Sequence, residues 1–219
     1  MYDKRTGTLW RQFTGEPVVG PLVGSGIKLE IMPNTSSSWA EWVAAHPDTT
    51  VIDIDTGIYP AAAYQPESDP RSAYFAYRSQ QDTMFPVPQR SSLLDTKAQV
   101  FGLVLNGEEK AYPLEVLRQQ PLIHDALGGQ DLVVITPGDG GGTRAYQRDS
   151  RRFVLVPEGP GEGGIAVLED DRGLTWRMEE DALVQVEDTS HRLSRLPSHT
   201  AYWFGWYTFH PGTAVYGQE

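Results

Sequence analysis

Histidine is the side chain best suited to acid–base or metal chemistry near neutral pH, and this sequence contains five of them. Two of the five stand in matching His-Pro-x-Thr stretches. At the end of a helix an imidazole can bond the last carbonyls, and a following proline prevents the helix from continuing. We therefore assign a structural role at helix ends to four residues: His46, Pro47, His210 and Pro211.

The other residues that could do chemistry form no recognised pattern. His191 and His199 are eight residues apart, with no acidic residue at a spacing suited to zinc. Acidic runs at 169–171 and 179–181 could supply the carboxylate pair of a glycosidase, but runs beside strands are more often solvated turns. The glycine-rich stretch 138–142 lacks the Lys-Ser/Thr of a phosphate loop. We therefore predict no catalytic, cofactor-binding or metal-binding residue in this chain.

The amino-acid composition excludes further classes of function. The 219 residues carry a formal net charge of −11 and include no cysteine. Disulfides, thiolate metal sites and a cysteine nucleophile are thus excluded for this chain, and a nucleic-acid partner, which needs clustered Lys and Arg, is not expected. No apolar stretch approaches the roughly 20 residues of a membrane span, and the first residues lack the apolar core of a signal peptide. We expect a soluble acidic protein, with its compartment left open.

The six tryptophans form three pairs that indicate an internal repeat. A Trp-x-x-Trp motif followed by His-Pro-x-Thr-x-Val occurs twice, 164 residues apart, and a Gly-x-x-Trp-Arg motif also occurs twice. The pairs are Trp10 with Trp176, Trp39 with Trp203, and Trp42 with Trp206. We predict that the chain is internally duplicated. Because large aromatic side chains contribute heavily to burial, we expect the paired tryptophans to fill a shared core rather than to bind a ligand.

The repeat divides the chain into three segments. Residues 1–52 are the back part of a first repeat, residues 100–219 are a complete second repeat, and residues 53–99 connect the two. The connector is rich in proline and tyrosine, and its aromatic content predicts an ordered segment that wraps the surface. No counterpart of residues 100–169 precedes Met1. Either the duplication is partial, or this chain lacks the front of the first repeat.

Local patterns predict the elements that position these residues. Asn106-Gly107 favours the positive φ angles of a tight turn between strands Val100–Leu105 and Glu108–Tyr112. Pro113–Gln120 is typical of a short helix with proline in its first turn. Further strands are predicted at hairpin spacing: Leu132–Thr136, Thr143–Arg148, Arg152–Val156, Gly164–Leu168, Leu174–Met178 and Ala182–Val186.

Each repeat is expected to close with an aromatic helix. Ser38 and Glu41 fit a capping box at the start of the first, and Ser198 or Thr200 is expected to cap the second. The His124-Asp125 pair is assigned to the end of another helix, before a glycine-rich turn. The predicted fold class is α+β and β-rich, with antiparallel sheets or partly closed barrels and few short helices.

These motifs resemble those of the family catalogued as domain of unknown function 3179. The most specific is the amino-terminal block Met1–Gly15, MYDKRTGTLWRQFTG. The similarity continues through eight further stretches: Gly20–Leu22, Trp39–Trp42, His46–Thr49, Phe85–Val87, Val100–Gly102, Ala111–Leu114, Asp125–Gly129 and Trp203–Thr213. The resemblance therefore extends over nearly the whole chain.

The family resemblance carries implications for location and chemistry. Members are mostly bacterial or archaeal and many carry export signals, which implies an extracytoplasmic location. Their amino-terminal half typically holds a Cys-Pro-x-Cys-like motif, which implies redox or metal chemistry in that half. This sequence begins downstream of such a motif, and the equivalent stretch of the second repeat, residues 135–138, has no cysteine. The chain thus resembles a carboxyl-terminal portion of the family, and no catalytic residue is carried over.

Three hypotheses for the function follow. The favoured one is a non-catalytic structural or protein-interaction module, a subunit of a larger assembly, because no site motif is found and an incomplete repeat leaves apolar surface for a protein partner or a second copy. The second is the carboxyl-terminal part of an extracytoplasmic redox or metal-dependent protein. The third is a glycan-binding module that uses exposed tryptophans. We expect no cofactor.

Overall fold

The fold is β-rich, and the described residues form four separate sheets and four short helices. The computed structural model describes residues 1–55, 57–60, 63–66, 68–72, 74–137, 142–156 and 166–218. Within these ranges none of the sheets closes into a barrel, and every strand pair but one is antiparallel. The predicted β-rich α+β class is therefore confirmed. Parts of two sequence predictions, residues 138–141 of the glycine-rich turn and residues 164–165 of a strand, lie outside the described residues.

The first hundred residues contain little regular structure. A three-stranded sheet comprises β1 (Tyr2–Asp3), β2 (Thr8–Trp10) and β3 (Pro17–Val19). Two helices follow, α1 (Trp39–Ala45) and α2 (Phe75–Ser79). Trp10, which is 7% exposed, is the one described hydrophobic residue before position 100 that is buried. The hydrophobic core thus lies almost entirely in the second half of the chain.

A long hairpin organises the second half. Strands β4 (Gln99–Leu105) and β5 (Glu108–Pro113) pair over six positions, and their turn residues Asn106 and Gly107 have φ angles of 50° and 85°. Both angles lie in the left-handed region that Asn-Gly accommodates easily, so the predicted tight turn is confirmed. The predicted short helix is also present as α3 (Leu114–Gln119).

Two further sheets follow the hairpin. One contains β6 (Leu122–Leu127), β7 (Gln130–Ile135) and β8 (Arg144–Gln147). The other is a five-stranded meander of β9 (Phe153–Leu155), β10 (Val167–Asp170), β11 (Thr175–Met178), β12 (Ala182–Gln185) and β13 (Arg192–Ser194). His124 and Asp125 lie in the middle of β6, so their assignment to a helix end is wrong. Six successive pairs with β7 hold this segment extended.

The last elements complete the sheet of the long hairpin. Strand β14 (Ser198–Tyr202) pairs with β4, helix α4 (Trp203–Phe209) crosses over, and β15 (Ala214–Val215) pairs in parallel with β5. The prediction that Ser198 or Thr200 caps the closing helix is therefore wrong. Both residues are committed to β14, and the helix begins after Tyr202 without a side-chain cap.

Helix α4 packs directly on the backbone of β4. The indole of Trp206 lies over Gly102, and a Cβ atom added at Gly102 would be 2.2 Å from that ring. Trp203 and Trp206 form one buried cluster with Val100, Ala111 and Val215 from β4, β5 and β15. The close approach of helix to sheet therefore requires glycine at position 102.

Replacing Gly102 by alanine is expected to lower the free energy of unfolding by about 1–3 kcal/mol, because the new methyl group overlaps a buried indole. Urea unfolding monitored by circular dichroism measures this change. Gly212→Ala is the matched control, since its Cβ would have no heavy atom nearer than 3.9 Å. That control is expected to be neutral or stabilising by up to about 1 kcal/mol. Equal losses in both variants would contradict the packing of α4 on β4.

His124 gives the stability of the fold a dependence on pH. Its Nε2 accepts a hydrogen bond of 2.8 Å from the backbone N–H of Phe153, which requires that nitrogen to be unprotonated. Burial, with the positive charges of Arg148 and Arg152, lowers the pKa of His124 below its ordinary value of 6.5. The unfolded chain therefore binds a proton near pH 6.5 that the folded chain does not bind. Stability is retained above that pH and decreases as the pH falls below it.

His124→Gln is expected to reduce the loss of stability between pH 7.5 and pH 5, because the amide oxygen can replace Nε2 as acceptor but does not titrate. Urea midpoints measured across this range for the wild type and the variant test the expectation. Carboxylates with lowered pKa values titrate below this window and leave the comparison unaffected. Identical pH dependences would show that His124 does not contribute.

Candidate functional site

Helix α1 is set by local sequence and anchored by the segment before it. Its capping box is present: the Ser38 hydroxyl accepts from the Glu41 N–H at 3.2 Å, and the Glu41 carboxylate accepts from the Ser38 N–H at 2.9 Å. Just upstream, the Asn34 N–H donates to the Ser198 carbonyl at 3.0 Å, and the Gly142 N–H donates to the Ser36 carbonyl at 3.2 Å. These bonds fix the start of α1 beside β8 and β14.

The end of α1 has the same local structure as the end of α4. The indole N–H of Trp42 donates to the Thr49 hydroxyl at 2.9 Å, and the ring of His46 lies 4.2 Å from the indole. His46 and His210 are the C-caps of α1 and α4. The backbone N–H of each donates to the carbonyl of the tryptophan four residues earlier, and proline follows each histidine.

The contacts at the end of α4 match those of α1 one by one. The indole N–H of Trp206 donates to the Thr213 hydroxyl at 2.9 Å, and the ring of His210 lies 4.1 Å from the indole. The sequence motif shared by the two segments therefore corresponds to one local structure that occurs twice. Duplication of the longer segments stays a prediction.

The two helices differ in what covers them. Trp203 and Trp206 are 1% and 0% exposed beneath the hairpin sheet, whereas Trp39 and Trp42 are 56% and 40% exposed. No residue of α1 is buried. The expectation that all paired tryptophans fill a core holds for Trp10, Trp176, Trp203 and Trp206 and is wrong for the two on α1. The reason is that the described residues place no second sheet over α1.

A cleft separates α1 from the strands beside it. It has a volume of about 370 Å³, with Trp42 and His46 on the helical wall. Arg144 of β8 and Arg177 of β11 lie on the opposite wall, together with Glu180 in the turn after β11. The sequence motifs had singled out the helical wall, the acidic run and, as the last residue of the Gly-x-x-Trp-Arg motif, Arg177, but they had not singled out Arg144.

The charged side chains on the opposite wall of the cleft form ion pairs with one another or with neighbouring residues. Arg144 donates from Nε and a terminal nitrogen to one Glu180 oxygen, at 3.1 and 2.9 Å, and Arg195 pairs with the other oxygen. Arg177 pairs with Glu179. Burial raises the pKa of Glu180, but the hydrogen bond from Arg144 and the charges of both arginines outweigh it and lower the pKa below its ordinary value. Glu180 is therefore ionised and unlike the raised-pKa acid of a glycosidase.

The remaining candidate residues lie elsewhere in the fold. Trp176 and Asp170 belong to the core of the meander sheet. His199 lies between the rings of Phe13 and Trp206, at 5.3 and 5.4 Å, and burial followed by the nearby His210 lowers its pKa. In the described part of the chain, no three His, Asp or Glu side chains are grouped as they would be around a metal ion.

The fold and the cleft define a class: a β-rich α+β domain of open sheets in which helix α1 lies outside the core. A family model described as protein of unknown function (DUF3179) matches residues 1–213, and the chain belongs to this family. The match includes the first fifty residues, so the family assignment is not confined to a carboxyl-terminal portion. Neither the curated proteins nor the solved structures provide a match. Among the described helices, none has the length and apolar character required to span a bilayer.

Proposed function

We propose that the chain is a non-catalytic protein-interaction module and that the aromatic face of α1, formed by Trp39, Trp42 and His46, is its docking surface. One observation carries the proposal. The same local structure is buried by a sheet at α4 and left uncovered at α1, within a single chain. Exposed aromatic residues held on a capped helix are typical of surfaces that bind another protein.

The chemistry of the cleft supports binding over catalysis. Its arginines and carboxylates neutralise one another, and Glu180 is held ionised. A general acid or base needs a pKa near the working pH and a free position beside the substrate. A polar wall opposite an indole fits the rim-and-anchor arrangement of a protein interface instead.

A double variant, Trp39→Ala with Trp42→Ala, tests the docking surface. Tagged wild-type and variant chains are incubated with extracts of cells in which the protein occurs naturally, and bound proteins are quantified by mass spectrometry. At least one protein is expected to be retained by the wild type and reduced tenfold or more by the variant. Tyr59→Ala is the control, since Tyr59 is also an exposed aromatic residue but lies outside the cleft. If no retained protein depends on α1, the proposal fails.

Glycan binding is the second candidate function, and the position of Trp42 favours it. An exposed indole facing planar charged groups across a cleft can stack on a sugar ring while those groups bind its hydroxyls. Titration with a panel of oligosaccharides tests this, with tryptophan fluorescence as the readout. Saturable quenching that is lost in Trp42→Ala would favour a glycan ligand over a protein partner.

A further inference from the structure

We infer that the partner seated on α1 is a β-hairpin of another polypeptide, with glycine against Trp42 and a carboxylate against His46. The inference rests on the proposed function and names its partner class. It follows from the end of α4, where the same local structure is covered by a sheet. What covers α4 indicates what α1 can accept, because the local structures of the two helix ends match.

Glycine is the first requirement that α4 reveals. Trp206 lies on the backbone of β4 at Gly102, where even a methyl group would overlap the ring. Around this contact the sheet offers the aliphatic side chains of Val100, Ala111 and Val215, and the ring of His199 on β14 lies 5.4 Å from the indole. An extended strand with glycine at its centre therefore gives a flat face that an indole can cover completely. Trp42 has the same geometry relative to its helix and has no such face above it in the described structure.

A carboxylate is the second requirement. Nδ1 of His210 lies 2.8 Å from a carboxylate oxygen of Glu109, which is on β5 of the covering hairpin. The ring of His46 contacts the indole of Trp42, and the described residues give it no hydrogen-bonding partner. A carboxylate from the partner would supply the missing hydrogen bond to the His46 ring.

The hairpin of this chain cannot serve α1 as well. The edges of β4 and β5 are paired with β14 and β15, and the face that carries Gly102 is covered by α4. The same arrangement disfavours a second folded copy of this chain as the partner, since its hairpin would be occupied too. The partner hairpin is therefore placed on a different polypeptide.

A cyclised peptide is the probe. It carries the sequence of residues 99–113, closed head to tail, with Phe101→Thr and Leu103→Thr on the face that points away from α4. Isothermal titration into the full chain is expected to show saturable binding. Trp42→Ala in the protein, or Gly102→Val in the peptide, is expected to weaken binding at least tenfold. Glu109→Gln in the peptide and His46→Gln in the protein are each expected to weaken it several-fold, and Tyr59→Ala is expected to have no effect.

The outcomes separate this inference from the proposed function. If proteins from the extract depend on α1 but the peptide does not bind, or binds equally with valine at position 102, the hairpin inference is overturned and the docking surface stands. If neither the binding of extract proteins nor the binding of the peptide depends on Trp42, the hairpin inference and the proposed docking surface are both overturned. A concentration-dependent dimer that is lost in Trp42→Ala, without peptide binding, would identify a second copy and also overturn the inference.

Discussion

Trp206→Ala is expected to cost about 3–5 kcal/mol of the free energy of unfolding, whereas Trp42→Ala is expected to cost less than about 1 kcal/mol. The two indoles make the same local contacts, a hydrogen bond to threonine and a tilted ring contact with histidine. The difference arises from the sheet that covers Trp206, because removal of this indole leaves a cavity between the helix and the sheet. Trp42 is partly solvated already, so its removal exposes little new surface.

Urea unfolding at pH 7.5 measures both changes, with far-UV circular dichroism as the signal because each variant loses a fluorophore. Trp203→Ala and Trp39→Ala form a second matched pair, and the same asymmetry is expected, since Trp203 is buried and Trp39 is exposed. A cost at Trp42 as large as that at Trp206 would mean that α1 is covered in solution. That result would remove the basis of the proposed docking surface.

This asymmetry also gives the docking surface an energetic argument. At α4 the sheet and the helix belong to one chain, so burial of Trp206 contributes to folding. At α1 the equivalent burial is available to a partner, and truncation of Trp42 should therefore weaken binding while stability changes little. Residues whose truncation separates affinity from stability in this way are typical anchors of interfaces.

Local chemistry explains which parts of the fold could be predicted from the sequence. The hairpin at Asn106-Gly107 and the capping box at Ser38 depend on a few adjacent residues, and both form as predicted. The start of α4 could not be predicted in this way. Ser198 and Thr200 are good helix caps, but five successive pairs with β4 hold them in a strand, and tertiary pairing overrides the local preference.

The cleft required information that no local pattern contains. Arg144, at the start of β8, and Arg177, near the end of β11, both line the cleft, although 32 residues separate them in sequence. The exposure of Trp42 could not be predicted from the sequence either, since Trp42 lies in the same motif as the buried Trp206. Whether a sheet covers the helix depends on residues far from the motif in sequence, so the motif alone does not predict it.

Asp170→Ala is expected to destabilise the chain by about 3–5 kcal/mol, because it leaves several buried donors without an acceptor. One oxygen of Asp170 accepts from the indole of Trp176 at 3.0 Å and from Arg151 at 3.1 Å. The other accepts two backbone N–H bonds of 3.0 Å, from Arg172 and Leu174, which close the turn after β10. The Asp170 side chain is fully buried, so water cannot replace these bonds.

The adjacent carboxylate provides the control, since Asp171 is exposed and Asp171→Ala is expected to change stability by less than about 0.5 kcal/mol. A pH series adds a second test. Burial raises the pKa of Asp170, but the backbone bonds from Leu174 and Arg172, the Trp176 indole and the charge of Arg151 together lower it below its ordinary 3.8. A lowered carboxylate pKa contributes stability that is present above pH 3.8 and lost as the pH falls through the folded-state value.

The stability difference between the wild type and Asp170→Ala should therefore be constant from pH 7 to pH 5 and narrow below pH 4. Urea midpoints across this range measure it. A difference that is small at pH 7, or that does not change in acid, would show that the ionised carboxylate does not hold the meander sheet together. Strand β11 of the meander sheet carries Arg177, which lines the cleft. Asp170→Ala should therefore weaken partner binding only under conditions in which the variant is partly unfolded.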